Sequence, residues 1–184
     1  MGKLLLIMGD LATGKSTFAD LLSRRYGTVL FCKDPIKETL ADTFGYSNRA
    51  ENLKLSYATA ELMYLLFRNF AKIDKDLILE SNFRIGELEK LHQIAREYDY
   101  QVLTLVLGGD VEILHQRYLN RMHNENRAAV HLCSEFNTLE GFGAYLESLR
   151  SGRVPGETIH IDANDFAYQT HPELLAKIDE FMRN

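Results

Sequence analysis

The sequence predicts an α/β fold in which a parallel sheet of five strands is covered by helices on both faces. Three observations lead to this fold class. Short apolar segments alternate along the 184 residues with segments of helical periodicity. The first segment, residues 3–8, is apolar almost throughout, which is typical of a strand buried on both faces. A glycine-rich loop then leads from this strand into a helix, as in a strand–loop–helix unit.

The elements near the N-terminus each have a local signal. The helix predicted over 14–25 carries Phe18 and Leu22 on one face. Gly27 is suited to end it as a C-cap residue, because glycine adopts the left-handed backbone at little cost. The strand predicted over 28–32 is rich in β-branched and aromatic residues.

Two helices follow, and each has a capping signal. Asp34 can cap the first, with Pro35 at its first helical position, and this helix runs to about residue 43. Asn48 and Glu51 have the spacing of a capping box and begin a long helix over 48–73.

The remaining periodic segments continue the alternation. A polar and basic stretch, 123–133, interrupts them and is predicted to be a loop or lid. The predicted strands are 77–80, 101–107 and 158–162, and the predicted helices are 85–98, 111–122, 138–150 and 172–182. We find no repeat or linker, so 1–184 is predicted to be one domain.

Composition is that of an ordinary globular protein. The chain is 46% hydrophobic and 26% charged, and it lacks an apolar run of the roughly 20 residues that a membrane helix needs. A formal net charge of −5 gives no overall basic field for a nucleic acid, although a local basic patch is compatible with it. With two cysteines and no secretory signal pattern, we expect a reduced, cytoplasmic protein without a membrane anchor.

Residues 9–16, GDLATGKS, satisfy the phosphate-loop pattern G-x-x-x-x-G-K-[ST] between a strand and a helix. Backbone N–H groups of such a loop surround phosphate oxygens, and the helix N-terminus adds partial positive charge. Lys15 is predicted to reach the β- and γ-phosphates and Ser16 to ligate Mg²⁺, so the predicted ligand is ATP with Mg²⁺. The predicted nucleotide contacts in the loop are Gly9, Leu11, Ala12, Thr13, Gly14, Lys15, Ser16 and Thr17.

Two carboxylates follow neighbouring strands at the edge where parallel sheets bind ligands. Asp34 comes directly after the second strand and is predicted to orient an acceptor hydroxyl and take its proton. Glu80 ends the third strand and is predicted to hold Mg²⁺, directly or through water. The structural alternatives are a helix cap for Asp34 and a buried acid bonded to the phosphate loop for Glu80.

Basic residues are placed to complete the site. Lys37 lies one helical turn after Asp34, and Arg84 follows the third strand, so either can hold an anionic acceptor. Arg117 and Arg121 share one helical face and, with Arg127, are predicted to close over the transferring phosphoryl group. Solvated surface charges are the alternative for all of them.

With these motifs, the chain resembles the small P-loop kinases of the nucleoside-monophosphate-kinase-like class. Within that class it is most similar to the kinase domain of polynucleotide 5′-hydroxyl kinase and to bacterial relatives labelled AAA-type ATPases or predicted kinases. The narrower resemblance lies in FCKDPIK (31–37), LESNF (79–83) and the lid arginines. It implies a P-loop NTPase three-layer α/β/α sandwich with sheet order 2-3-1-4-5 and a lid. It also implies the site roles of Lys15, Ser16, Asp34, Arg117 and Arg121.

Two departures point away from a polynucleotide acceptor. Lys37 stands where polynucleotide 5′-hydroxyl kinase has an arginine after its aspartate, and lysine is a poorer bidentate partner for phosphate. Glu80 replaces a shorter aspartate. The predicted function is therefore an ATP-dependent transfer of phosphate to a hydroxyl of a small molecule by a monomer or homodimer. A helical insert over about 44–73 would form the acceptor side, and a lid over about 117–133 would cover it. The alternatives are a polynucleotide 5′-hydroxyl kinase and a nucleotide-binding switch or partner-regulated ATPase.

Overall fold

A computed structural model of the protein describes residues 1–124, 130 and 136–183. Its five strands form one parallel sheet in the order β2-β3-β1-β4-β5, so the predicted fold class and strand order are confirmed. The strands are β1 (Lys3–Gly9), β2 (Val29–Cys32), β3 (Leu77–Glu80), β4 (Gln101–Gly108) and β5 (Glu157–Asp162).

Helices connect the strands and cover the sheet, close to the predicted bounds. A short 3₁₀ helix, Ala167–Thr170, was not predicted from the sequence. Within the described residues the α-helices are α1 (Lys15–Tyr26), α2 (Lys33–Phe44), α3 (Arg49–Ala71), α4 (Ile85–Glu97), α5 (Val111–Asn124), α6 (Leu139–Arg150) and α7 (Pro172–Arg183). None of these helices is long and apolar enough to cross a lipid bilayer.

Alternate residues of β1 face opposite layers of helices. Leu4 and Leu6 pack in a cluster with α3 and α4, whereas Leu5 and Ile7 pack in a second cluster with α1 and α7. All four side chains have no exposed surface. Burial of this kind on both faces explains why the strand reads as a continuous apolar run.

The predicted start of α2 is wrong. We expected Asp34 as the cap and Pro35 as the first helical residue, but the helix begins at Lys33 and its cap is Cys32. Cys32 keeps the extended backbone of β2, with φ −97° and ψ 136°, and the chain then turns directly into the helix. Pro35 is tolerated in the first turn because its missing N–H would have no partner within the helix.

The predicted caps of α1 and α3 are present. Gly27 ends α1 in the left-handed conformation, with φ 62°. The Asn48 side chain accepts a hydrogen bond from the Glu51 N–H at 3.0 Å and begins α3. The Glu51 carboxylate returns to the N–H of Ser47 at 2.6 Å, one residue earlier than an ideal capping box.

Candidate active site

The loop between β1 and α1 is bent by three residues in the left-handed region, Gly9 (φ 124°), Ala12 (φ 61°) and Gly14 (φ 86°). A Cβ at Gly9 would lie 2.0 Å from the carbonyl oxygen of Leu107, so this glycine allows β1 and β4 to approach closely. A Cβ at Gly14 would lie 2.9 Å from the ring of Phe166. A larger residue at either motif position would collide with these neighbours, so the fold requires glycine there.

Hydrogen bonds hold the loop in this shape. Thr13 donates its hydroxyl to the carbonyl oxygen of Asp10 at 2.9 Å, and Tyr168 donates to the carbonyl of Thr13 at 2.7 Å. The Lys15 ammonium also donates to the Asp10 carbonyl and is buried. Burial lowers the pKa of Lys15, although the negative charges of Glu80, Asp10 and Asp34 oppose this effect. The loop thus surrounds a buried side-chain amine.

The Asp10 side chain binds residues outside the phosphate loop. Its carboxylate is 2% exposed and accepts hydrogen bonds from the Arg150 guanidinium, the shortest at 2.6 Å, and from the N–H of Gly109 at 3.1 Å. Arg150 also donates to the carbonyl of Gly109 at 2.6 Å. This pair ties the phosphate loop to the end of α6. The sequence did not predict it, because Arg150 lies 140 residues away from Asp10.

Glu80 lies beside the start of α1. It is 5% exposed, and its carboxylate accepts a hydrogen bond from the Ser16 hydroxyl at 3.1 Å. Burial raises the pKa of Glu80, while Lys15 opposes this shift. The thiol of Cys32, the neighbouring residue in β2, also hydrogen-bonds to the carboxylate. The geometry matches the alternative that Glu80 is bonded to the phosphate loop, and this contact is compatible with a metal role.

Asp34 and Lys37 lie on α2 and line a cavity that the phosphate loop also lines. The negative charge of Asp34 acts on Lys15, Glu80 and Lys37. The Lys37 ammonium donates to the side-chain oxygen of Asn52 at 2.6 Å, and Asn52 donates in turn to the carbonyl of Val130 at 3.0 Å. Burial lowers the pKa of Lys37, and Asp34 opposes this effect. Asn52 was not predicted as a site residue.

Arg84 lies at the start of α4, and it is exposed and lines the cavity. Its backbone N–H donates to the Glu87 carboxylate at 2.9 Å. The same carboxylate forms an ion pair with Lys33 at 2.8 Å. The loop after β3 is therefore fixed to the first turn of α2.

Arg117 and Arg121 both reach the cavity from α5. Arg117 donates to the carbonyls of Ala163, at 2.7 Å, and Asn164, and its guanidinium lies 4.4 Å from the ring centroid of Phe166. Arg121 is close enough for its positive charge to lower the pKa of Lys15 further. Arg127 and positions 125–129 and 131–133 of the predicted lid lie outside the described residues.

One cavity of about 1390 Å³ connects these groups. The phosphate loop from Leu11 to Thr17 lines it together with the predicted acids and cations, whereas Gly9 lies behind the loop. Cavities for a single drug-sized ligand are typically about 300–1000 Å³, so this one has space for a nucleotide and a second molecule. The cavity residues come from two sets of strands: α5 and Phe166 follow β4 and β5 in the chain, whereas Asp34 and Arg84 follow β2 and β3.

The aromatic residues near the cavity lie in different environments. Of the aromatic residues along α3, Tyr64 and Phe67 are buried in the core, whereas Tyr57 is 58% exposed and lines the cavity. In the loop before β5, Gly152 and Gly156 pack against Ile85 and His92 of α4. Phe166 is 50% exposed, lies against the Arg117 guanidinium and is beside Gly14 of the phosphate loop.

Solved structures share the fold over nearly the whole chain. A candidate kinase from Chloroflexus aurantiacus J-10-fl is 23% identical, with 98% of each chain covered and a TM-score of 0.80. A gluconokinase from Sinorhizobium meliloti 1021 is 16% identical over 100% of this chain and 94% of its own, with a TM-score of 0.61. A shikimate kinase from Bacteroides thetaiotaomicron is 13% identical over 99% of each chain, with a TM-score of 0.59.

No curated protein matches the chain. A family model described as "AAA domain" matches residues 4–136, which include the phosphate loop, Asp34, Glu80 and both cavity arginines of α5. This match covers more than half of the chain, and the shared architecture is that of small P-loop kinases. The chain therefore belongs to this AAA-domain family and has the fold of a small P-loop kinase.

Proposed function

We propose that the protein transfers the γ-phosphate of ATP to a hydroxyl group of a small molecule. The observation that carries this proposal is the single cavity that joins the phosphate loop to Asp34. Because β2 lies two strands from β1, the start of α2, which carries Asp34, is displaced sideways from the strand that leads into the loop, by about 10 Å at ordinary strand spacing. This displacement leaves room for a triphosphate and an acceptor hydroxyl between Lys15 and Asp34.

The nucleotide side supplies binding groups for ATP. Backbone N–H groups of the loop and the N-terminus of α1 face the phosphates. The Lys15 ammonium exchanges its hydrogen bond to the Asp10 carbonyl for contacts to the phosphates. Phe166, stacked with Arg117, offers a flat apolar surface for the base. Arg117 thereby serves nucleotide binding, and Arg121, whose positive charge acts on Lys15, is assigned to the transferring group.

The residues at the loop also fit Mg²⁺. Ser16 Oγ and a Glu80 carboxylate oxygen lie 3.1 Å apart, and both are hard oxygen donors. The described residues contain no cluster of three or more metal-ligating side chains, which agrees with an ion that takes its other ligands from phosphates and water. When bound, Mg²⁺ would offset phosphate charge and leave the protein to orient the reactants.

In the proposed step, the acceptor oxygen bonds to the γ-phosphorus and its proton passes to the Asp34 carboxylate. The bond between the γ-phosphorus and the oxygen bridging to the β-phosphate breaks, and ADP leaves. Lys15 and Arg121 stabilise the negative charge that develops on the phosphoryl oxygens. Ser47, Asn48, Asn52 and Ser56 line the acceptor side and provide hydroxyl and amide groups for a hydroxylated molecule.

The direct test is product formation from ATP and a panel of hydroxylated small molecules, measured as ADP release and as phosphate ester by mass spectrometry. Loss of the general base in Asp34→Asn should lower kcat about 10²–10⁴-fold. ATP affinity should stay close to that of the wild type. Asp42→Asn, on the exposed face of the same helix, is the matched control and should retain the wild-type rate.

Two outcomes would support the alternatives instead. ADP release that needs no acceptor and is the same in Asp34→Asn would indicate a partner-regulated ATPase. Transfer of labelled phosphate only to the 5′-hydroxyl of an oligonucleotide would indicate a polynucleotide kinase. The single domain, the monomer or homodimer and the cytoplasmic location stay predictions from the sequence.

A further inference from the structure

The cavity is basic although the chain is acidic. The formal net charge of the protein is −5. Among the described residues that line the cavity, eight are lysine or arginine and four are aspartate or glutamate. A nucleotide accounts for the cations beside the phosphate loop, namely Lys15, Arg117 and Arg121. Basic residues are also present on the acceptor side, where the nucleotide does not reach them.

Part of the acceptor-side charge is already compensated. Lys33 forms an ion pair with Glu87 at 2.8 Å, and both side chains are less than one-fifth exposed. Lys90 forms an ion pair with Glu61 at 2.6 Å and lies over the ring of Tyr64. These pairs shape the wall and have their counter-charges within the protein.

Lys37 and Arg84 differ from those pairs. Lys37 donates to Asn52, whose neutral amide oxygen orients the ammonium without cancelling its charge. Within the described part of the chain, no carboxylate forms an ion pair with Arg84. Both residues line the cavity. Lys37 shares α2 with Asp34. The Glu87 carboxylate joins the backbone of Arg84 to Lys33 at the start of that helix. Desolvation lowers the pKa of Lys37, and an anion placed beside the ammonium would favour its charged form.

We propose that the acceptor is itself an anion, a small hydroxylated molecule whose carboxylate or phosphate monoester is bound by Lys37 and Arg84. This inference rests on the proposed phosphotransfer. The planar guanidinium of Arg84 suits two-point binding of either group, and Lys37 adds a point charge that Asn52 holds in place. The carboxylate of Asp34 repels the anionic end and accepts the hydroxyl proton. The molecule is therefore oriented with its hydroxyl towards the γ-phosphate.

The first experiment needs no acceptor turnover. The wild type is saturated with a non-hydrolysable ATP analogue and Mg²⁺, which occupy the phosphate loop, and is then titrated with inorganic phosphate by calorimetry. We expect a binding event that weakens at least tenfold in Lys37→Gln and in Arg84→Gln. The matched controls are Lys54→Gln on α3 and Arg96→Gln on α4, both exposed and outside the cavity. Absence of binding in the wild type, or equal binding in the variants, would overturn the proposal.

The second experiment compares anionic and neutral acceptors of similar shape, such as glycerate with glycerol and gluconate with sorbitol. We expect kcat/KM to favour the anion of a pair, and this preference should disappear in Lys37→Gln without a change in ATP affinity. Equal turnover of both members would contradict an anionic acceptor while leaving the kinase intact. Phosphate binding without transfer to any acceptor would contradict the proposed function but support an anion site at Lys37 and Arg84.

Discussion

Glu80 shows how one buried side chain can serve both the fold and the chemistry. It ends a strand in the middle of the sheet, between Ile7 and Cys32 in register, and no more than 5% of it is exposed. Ser16 and Cys32 donate hydrogen bonds to it, which compensate part of the cost of burying a carboxylate. A bound cation would compensate more of this cost, and this favours a metal role over a purely structural one.

We predict that Glu80→Gln gains stability relative to the wild type as pH rises, in the absence of Mg²⁺ and nucleotide. Burial raises the pKa of Glu80 above its ordinary value of 4.5, so the folded protein holds this proton more tightly than the unfolded chain. Stability contributed by Glu80 therefore falls from pH 4.5 upward through the folded pKa, and glutamine avoids this loss. Urea unfolding at a series of pH values measures the difference. Glu89→Gln, exposed on α4, is the control, and a flat difference would contradict the prediction.

At the scale of elements, the phosphate loop is supported by segments far away in the chain. Tyr168 of the 3₁₀ helix holds the loop from one side, and Arg150 at the end of α6 holds it from another. The shape of the loop thus depends on tertiary contacts as well as on its own glycines.

We predict that Arg150→Ala destabilises the protein and weakens ATP binding, because it leaves the Asp10 carboxylate buried without its partner. The expected loss is about 2–3 kcal/mol, below the roughly 3–5 kcal/mol of a fully buried pair, since water reaches the Arg150 side chain, which is 43% exposed. Urea unfolding and ATP titration measure the two effects. Adding Asp10→Asn to Arg150→Ala should recover part of the stability, and Arg153→Ala, at an exposed residue, should have little effect. A loss no larger than that of Arg153→Ala would argue against this role.

At the scale of the whole molecule, the sheet order arranges the cavity. The central strand carries the phosphate loop, β4 and β5 bring the residues beside the nucleotide, and β2 and β3 bring Asp34 and Arg84 to the opposite side. Basic residues outnumber acidic ones in the lining of this cavity although the whole chain has a formal net charge of −5, so the cavity is suited to attract anions. A ligand that binds the folded protein and not the unfolded chain should raise the free energy of unfolding.

We predict opposite effects of Lys15→Met with and without nucleotide. Near neutral pH the nucleotide-free variant should be more stable than the wild type, because methionine removes a buried ammonium whose pKa is lowered by desolvation. MgATP should stabilise only the wild type, by about 2.7 kcal/mol at a hundredfold excess over Kd. Thermal unfolding with and without MgATP measures both effects. Lys72→Met, at an exposed residue, should respond to MgATP like the wild type, and an MgATP-induced rise in Tm for Lys15→Met would refute the role of Lys15.

Much of the fold followed from short-range sequence patterns. Apolar runs predicted the five strands, and glycine or capping residues predicted the ends of α1 and the start of α3, because these signals act over a few neighbouring residues. The predicted start of α2 was wrong because it relied on such a local signal alone. Asp34-Pro35 is a good local helix start, but the turn out of β2 places Cys32 at the cap.

The sequence by itself determined the phosphate loop, since its glycines, lysine and serine are adjacent and their spacing carries the geometry. It also placed Asp34 and Glu80 at the ends of parallel strands. Only the tertiary structure decided that Asp10 pairs with Arg150, that Lys37 donates a hydrogen bond to Asn52, and that Phe166 lies beside Gly14. Each of these contacts joins residues that the sheet order brings together, and no local pattern encodes a partner that is fixed only when the whole chain has packed.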